Sequence, residues 1–134
     1  MVEAQSPLYE TEPVYLEHQD WFVNGVAKIR TDLGPEVLFA QLKAIEHAMG
    51  RRPGEVRFGP RILDLDILFY DDCILRTELL QIPHPRLHER RFVLRPLCNI
   101  APDLVHPMLG QTVRSLLEDL KDGGKKVRSY KCDF

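Results

Sequence analysis

Cysteine is scarce in this sequence, and its three residues, Cys73, Cys98 and Cys132, are scattered. They form no Cys-x-x-Cys pair, so the sequence predicts neither a disulfide framework nor a cysteine-based zinc site. No apolar run approaches the ~18 residues that a membrane-spanning helix needs. The first ten residues, MVEAQSPLYE, also lack the basic and apolar pattern of a secretion signal. We therefore expect a cytoplasmic protein with no membrane partner.

A large excess of charge is also lacking. The formal net charge of -2 and the pI of about 6.2 argue against a protein that holds nucleic acid through bulk positive charge. Arginine is instead concentrated locally, with four residues between positions 51 and 61 and four between 86 and 95. Such focused clusters favour a compact polyanion such as a nucleotide triphosphate. With 134 residues, of which 44% are hydrophobic, we expect a single domain over 1–134.

The stretch RFGPRILDLDILFY, residues 57–70, carries the strongest chemical signal. From Ile62 onward it predicts a strand, whose alternation places Asp64 and Asp66 on one face and apolar residues on the other. Two neighbouring carboxylates repel each other unless a cation lies between or in front of them. Mg²⁺ suits this pair, because it takes oxygen ligands and is often held by one or two carboxylates together with substrate phosphates. The alternative is a solvated strand face whose charges pair with their neighbours.

Helices are predicted at three places. Gly34-Pro35 opens a helix, since proline suits the first helical turn, and Gly50 ends it. The residues that recur there at helical spacing, and that predict a buried stripe, are Leu38, Leu42, Ile45 and Met49. The run PHPRLHERRFVLRPL predicts a short helix followed by another. Thr112 is a candidate cap for a last amphipathic helix, and 121–134 is predicted to be a loose tail.

Strands are predicted on both sides of the first helix. Ser6–Thr11 and Trp21–Thr31 precede it, and the strand of the two aspartates turns at Tyr70–Cys73 into Ile74–Arg76 to form a hairpin. Strands and helices in this order indicate an α+β fold with a mostly antiparallel sheet.

Two runs, RFGPRILDLDILFY and IPHPRLHERRFVLRPLCNIAPDL, together resemble the signature of the 6-hydroxymethyl-7,8-dihydropterin pyrophosphokinase family. The similarity extends from about Ser6 to about Leu120. It implies a ferredoxin-like α/β sandwich. The family's chain begins with a strand and a Gly-Ser-Asn loop ahead of anything present here, so we expect an N-terminally truncated version of that sandwich.

The resemblance also implies an activity in folate biosynthesis: transfer of diphosphate from ATP to the hydroxyl of 6-hydroxymethyl-7,8-dihydropterin, giving AMP, with two Mg²⁺ ions. The catalytic residues that it implies are Arg51, Arg61, Asp64 and Asp66, and the two aspartates are the metal ligands. The ATP-binding residues that it implies are Glu46, Arg57, Ile67, Gln81, His84 and Arg90. The pterin-binding residues that it implies are Thr11, Val14, Phe22, Asn24, Phe58 and Phe92.

Two other functions stay open at this point. One is a truncated domain of the same family that lacks catalysis and binds nucleotide weakly or not at all. The other is a metal-dependent nucleotidyl or glycosyl transferase that uses the Asp-x-Asp pair. The three hypotheses differ in product, which is AMP for the first, none for the second, and diphosphate or a nucleoside diphosphate for the third. Association with other folate-pathway enzymes is a further possibility.

Overall fold

The structure, a computed structural model, describes residues 1–11, 22–49, 64–121 and 127–129. The elements, in chain order, are β1 (Val2–Gln5), β2 (Tyr9–Thr11), β3 (Phe22–Asn24), β4 (Ala27–Ile29), α1 (Pro35–Met49), β5 (Leu75–Arg76), β6 (Gln81–Ile82), a 3₁₀ turn (Leu87–Glu89), α2 (Arg91–Ile100), α3 (Val113–Glu118) and β7 (Val127–Ser129). The chain divides into a first unit, Met1–Thr31 with Pro85–Phe134, and a second unit, Asp32–His84.

Every strand pairing within the described ranges is antiparallel. In the first unit β1 pairs with β4, and β2 lies between β3 and β7; in the second unit β5 pairs with β6. Small antiparallel sheets combined with helices make the fold α+β, as predicted. The loose tail predicted from residue 121 differs from the structure at Val127–Ser129, because these residues pair with β2.

The long strand predicted over Trp21–Thr31 is two short strands, β3 and β4, separated at Gly25 and Val26. A Cβ atom at Gly25 would approach Leu8 Cδ2 to 3.0 Å, so the chain passes close to its neighbour there. The Val26 N–H donates to Ser6 Oγ at 2.9 Å, and the Ser6 N–H donates to the Val26 carbonyl at 2.8 Å. These hydrogen bonds hold the break between the two strands in place.

The core of the first unit lies around α2 and α3. Leu94 and Leu97 on α2 are buried together with Val113 and Leu116 on α3. The predicted cap is confirmed, because Thr112 Oγ1 accepts a hydrogen bond from the Ser115 N–H at 3.1 Å. This bond satisfies a donor that the first turn of α3 would otherwise leave unpaired.

The core of the second unit contains Leu38, Ile67, Leu80 and Ile82. Helix α1 begins at Pro35 as predicted, but its predicted stripe is only partly buried. Ile45 and Met49 are 47% and 56% exposed, whereas Glu46 is 2% exposed. Positions 38, 42 and 46 are four residues apart, so they follow one another on a single face. The buried face of α1 therefore ends in a carboxylate rather than in apolar residues.

A strand was predicted from Ile62 onward. The structure describes residues 64–70 of this segment and assigns no strand to them. The expected hairpin with Ile74–Arg76 is also wrong, since Leu75 and Arg76 pair with Ile82 and Gln81. None of the helices in the described part of the chain has the length and apolar character needed to cross a membrane.

Candidate functional site

Asp64 and Asp66 are both exposed, whereas Leu65 is half-buried between them and Ile67 belongs to the core of the second unit. Exposed and less exposed side chains thus alternate over these residues, as the sequence predicts, although no strand is assigned. Burial of Ile67 anchors the face of the segment that carries Leu65 and Ile67 in the core. The two carboxylates are left on the solvent side.

Two side chains of α1 hold the backbone at this point. Glu46 Oε1 accepts a hydrogen bond from the Leu65 N–H, and Lys43 Nζ donates to the Leu65 carbonyl at 3.0 Å. Lys43 and Glu46 also contact each other, with 3.1 Å between Nζ and Oε1. Side chains of a helix therefore satisfy both backbone groups of Leu65.

Lys43 is a residue of this site that the sequence analysis missed. Its Nζ lies 3.6 Å from Asp66 Oδ1 and 5.3 Å from the centroid of the Phe39 ring. The sequence did contain a signal. Glu46 falls at the position that continues the buried row of Leu38 and Leu42, and a carboxylate on such a face needs a cation or donors. A lysine three residues earlier on the helix is within reach of it.

The other predicted ATP-binding residues of the second unit occupy different environments. Ile67 is buried in the core, Gln81 is exposed and pairs with Arg76 between β6 and β5, and His84 is half-buried. The His84 N–H donates to the Leu68 carbonyl at 2.9 Å. This hydrogen bond ties His84 to the segment that carries the aspartates. The nucleotide contacts assigned to these residues stay predictions.

Two pairs in the first unit are set by strand register. Thr11 lies opposite Phe22 and Tyr9 lies opposite Asn24 in the β2–β3 ladder. Residues directly opposite one another in a ladder share a face of the sheet. The buried Tyr9 donates from its hydroxyl to Asn99 Oδ1 at 2.8 Å, which ties this face to α2. Asn24, one of the predicted pterin-binding residues, therefore lies on the same face of the sheet as Tyr9.

Two more predicted residues of the first unit, Arg90 and Phe92, contact each other. The guanidinium carbon of Arg90 lies 5.6 Å from the centroid of the half-buried Phe92 ring. At this distance a cation is attracted by the aromatic face. The structure thus brings together a residue predicted to bind ATP and one predicted to stack on the pterin. The predicted residues that lie outside the described ranges are Val14, Arg51, Arg57, Phe58 and Arg61.

A histidine pair is a further feature of the first unit. His106 is buried, and its Nδ1 accepts hydrogen bonds from the Met108 and Leu109 N–H groups at 3.2 and 3.1 Å. The His88 ring lies edge-on, with 6.5 Å between ring centroids. Burial lowers the pKa of His106, and the neighbouring His88 lowers it further. An unprotonated Nδ1 is the form that can accept both hydrogen bonds.

The chemistry of the donors fits Mg²⁺. Within the described ranges, no three His, Cys, Asp or Glu side chains are grouped so that they could hold a metal ion by themselves. Asp64 and Asp66, two residues apart and both exposed, supply hard oxygen ligands. They leave further coordination positions of the ion for water and phosphate. This is the type of partial protein site that Mg²⁺ commonly occupies together with a substrate.

One protein-family model matches most of the chain. Residues 1–102 match the model for 7,8-dihydro-6-hydroxymethylpterin-pyrophosphokinase. The chain belongs to this pyrophosphokinase family. The match includes the two aspartates and nearly all of the run that begins at Ile82, so the resemblance found in the sequence is confirmed.

Individual relatives in the pyrophosphokinase family fall into two groups by length. The chain is 44% identical over 123 residues to the 2-amino-4-hydroxy-6-hydroxymethyldihydropteridine pyrophosphokinase of Methylorubrum extorquens, covering 92% of the chain and 76% of that protein. The enzyme of the same name from Aquifex aeolicus is 40% identical over 107 residues, with 80% and 66% covered.

The second group is longer. "Folic acid synthesis protein fol1" of Schizosaccharomyces pombe is 48% identical over 124 residues, covering 92% of the chain and 17% of that protein. The chain likewise spans 16% and 19% of the corresponding proteins of Pneumocystis carinii and Dictyostelium discoideum. It therefore matches a limited part of these longer relatives.

Proposed function

We propose that the chain transfers diphosphate from ATP to the hydroxyl of 6-hydroxymethyl-7,8-dihydropterin, giving AMP, in folate biosynthesis. The observation that carries the proposal is the family match over residues 1–102 together with the exposed Asp64 and Asp66 that α1 holds at Leu65. The names of the bacterial relatives support the reaction. The identities of 40% and 44% to these enzymes do not favour a deficient domain.

The reaction is a displacement at the β-phosphorus of ATP. The pterin hydroxyl oxygen forms a bond to this phosphorus, the bond from it to the oxygen shared with the α-phosphate breaks, and AMP leaves as the hydroxyl proton is released. Such a step depends mainly on positioning and on neutralisation of charge. Bound Mg²⁺ would neutralise phosphate charge.

The residues are proposed for three tasks. Asp64 and Asp66 would hold the divalent ions, and Arg51 and Arg61 would bind phosphate oxygens through charge-assisted hydrogen bonds. The nucleotide would be bound by Glu46, Arg57, Ile67, Gln81, His84 and Arg90. The pterin would be bound by Thr11, Val14, Phe22, Asn24, Phe58 and Phe92.

Three further expectations accompany this proposal as predictions. The ferredoxin-like sandwich follows from the resemblance, and the cytoplasmic setting follows from the cysteine pattern. Association with other folate enzymes has support from the name of the Pisum sativum relative, "Folate synthesis bifunctional protein, mitochondrial". Because the family match includes parts of both units, we also propose that the whole chain acts as one functional domain.

The test is a product assay with the purified chain, Mg²⁺, ATP and 6-hydroxymethyl-7,8-dihydropterin, in which AMP and ADP are separated by chromatography. We expect AMP that depends on the pterin. Asp64→Asn should abolish it, whereas Asp72→Asn, a matched change at an exposed aspartate of the following turn, should not. Absence of pterin-dependent AMP from the folded chain would contradict the proposal, and release of diphosphate would instead favour a nucleotidyl transferase.

A further inference from the structure

We propose that Lys43 is a positioning residue of the divalent-cation site, which fixes the backbone between Asp64 and Asp66 so that both carboxylates can bind one ion or an adjacent pair. The inference rests on the metal site of the proposed function. It does not require that diphosphate transfer itself takes place.

Lys43 Nζ lies near three oxygen atoms of the site. It donates to Glu46 Oε1 at 3.1 Å and to the Leu65 carbonyl at 3.0 Å, and the Asp66 carboxylate lies at 3.6 Å. The Lys43 side chain is 35% exposed, whereas that of Glu46 is 1% exposed. An ammonium group has three N–H donors, and two of them are directed to fixed, largely buried acceptors. The charge of Lys43 therefore compensates the buried carboxylate of Glu46 rather than extending freely into water.

Two side chains of α1 hold the peptide groups on either side of Leu65. The Leu65 N–H belongs to the peptide that joins Asp64 to Leu65, and the Leu65 carbonyl belongs to the peptide that joins Leu65 to Asp66. Glu46 binds the first group and Lys43 binds the second. Since each peptide is planar, fixing these two groups limits the dihedral angles on both sides of Leu65. The relative direction of the two aspartates is thereby set by two residues of α1.

Lys43 could have a second, opposite effect on the ion. A cation beside Asp66 could instead oppose Mg²⁺ by electrostatic repulsion. The 3.6 Å ion pair is longer than the two hydrogen bonds, and the Asp66 side chain is 53% exposed, so water screens much of that repulsion. The backbone hydrogen bond is thus the stronger effect. The two roles predict opposite changes in ion affinity. Loss of Lys43 would weaken ion binding if it positions the backbone, and would strengthen ion binding if it repels the ion.

The experiment measures binding of Mn²⁺ alone, as a paramagnetic substitute for Mg²⁺, from the signal of the free ion in electron paramagnetic resonance. Lys43→Met should weaken binding about tenfold, as expected for loss of a hydrogen bond that positions a ligand. Lys43→Gln should stay within about threefold of the unsubstituted chain, because its amide can still donate to the Leu65 carbonyl. The matched control is Lys28→Met, which removes a 3.6 Å ion pair with Glu3 in the first unit and should leave the affinity unchanged.

The outcomes are distinguishable from those of the product assay. Suppose that no AMP forms but the chain binds Mn²⁺. If Asp64→Asn then abolishes Mn²⁺ binding and Lys43→Met weakens it, the positioning role stands and diphosphate transfer fails. Unchanged or tighter binding in Lys43→Met overturns the role, and so does absence of saturable binding to the unsubstituted chain. Circular dichroism checks folding, and an osmolyte that favours the folded state is added to all samples if Lys43→Met is unfolded in buffer. A variant that stays unfolded there also overturns the role, because Lys43 would then serve folding.

Discussion

Replacement of Glu46 should lower the stability of the second unit, because this carboxylate is 1% exposed and bonds both the Leu65 N–H and Lys43. Glu46→Gln keeps an acceptor for the N–H but removes the charge that faces Lys43. A hydrogen bond to a charged group contributes about 1.5–3 kcal/mol. Lys43 is about one-third exposed, so water replaces part of that interaction, and we expect a loss of about 1–2 kcal/mol in the free energy of unfolding.

Glu46→Ala should cost more, about 3–4 kcal/mol. It removes both interactions and leaves a cavity, and it also leaves a backbone donor without its acceptor, which alone costs about 1–3 kcal/mol. Urea unfolding followed by circular dichroism gives the free energies. Amide hydrogen exchange shows whether the loss of stability is located at Leu65. The Leu65 N–H should exchange faster in Glu46→Ala.

The matched control is Glu78→Gln, since Glu78 is exposed between β5 and β6 and its replacement should change stability by less than about 0.5 kcal/mol. The reasoning would be refuted if Glu46→Gln and Glu46→Ala were both as stable as this control. An unchanged exchange rate at Leu65 in Glu46→Ala would refute the contact itself.

Three further predictions concern other residues. Asp64→Asn and Asp66→Asn should each reduce AMP formation by at least about 100-fold without unfolding the chain, as measured by the product assay and circular dichroism; activity within tenfold of normal would argue against metal ligation. His106 has a lowered pKa, so the folded chain binds a proton less readily than the unfolded chain, and stability should fall as the pH drops from about 6.5 toward the folded pKa. His106→Asn, whose amide oxygen can accept the same hydrogen bonds, should flatten this dependence in urea titrations, and an unchanged slope would contradict the assignment. Thr112→Ala should cost about 1 kcal/mol in the same titrations, whereas Thr112→Ser should cost less, because it keeps the capping hydroxyl; equal losses would count against the cap.

Local signals in the sequence predicted the helices well. Pro35 marks the start of α1 and Thr112 caps α3, because both act through the first turn alone. The same holds for the pair of helices after Pro85, where the structure has a 3₁₀ turn and α2. Features set by neighbouring residues along the chain are therefore readable without a structure.

Pairing between distant segments was harder to predict. The alternation at Asp64–Ile67 correctly indicates which side chains are exposed, but it does not reveal that the Leu65 backbone is bound by α1 instead of a strand. Likewise β1 and β7 have sequences too short to predict a strand, and they form strands because β4 and β2 offer partners. Hydrogen bonds between segments far apart in sequence leave little trace in either one alone.

The candidate site shows the same division. Asp64 and Asp66 were predicted as metal ligands because neighbouring carboxylates repel each other without a cation, and the structure leaves both exposed. Their binding of metal stays a prediction. Lys43 was missed because its importance depends on a carbonyl 22 residues away. A helix residue gains a role at the site only through a contact that the fold creates.

Attachment of Leu65 to α1 has a consequence for reading genetic variation in this protein. A substitution in α1 that shifts Lys43 or Glu46 would alter the chain between the two aspartates without changing either carboxylate. Variants that reduce the proposed activity should then fall along this helix as well as at the two aspartates, and they would resemble ordinary stability defects unless ion binding were measured. A survey that ranks residues only by their distance from the reacting atoms would underestimate how much such a helix matters for activity.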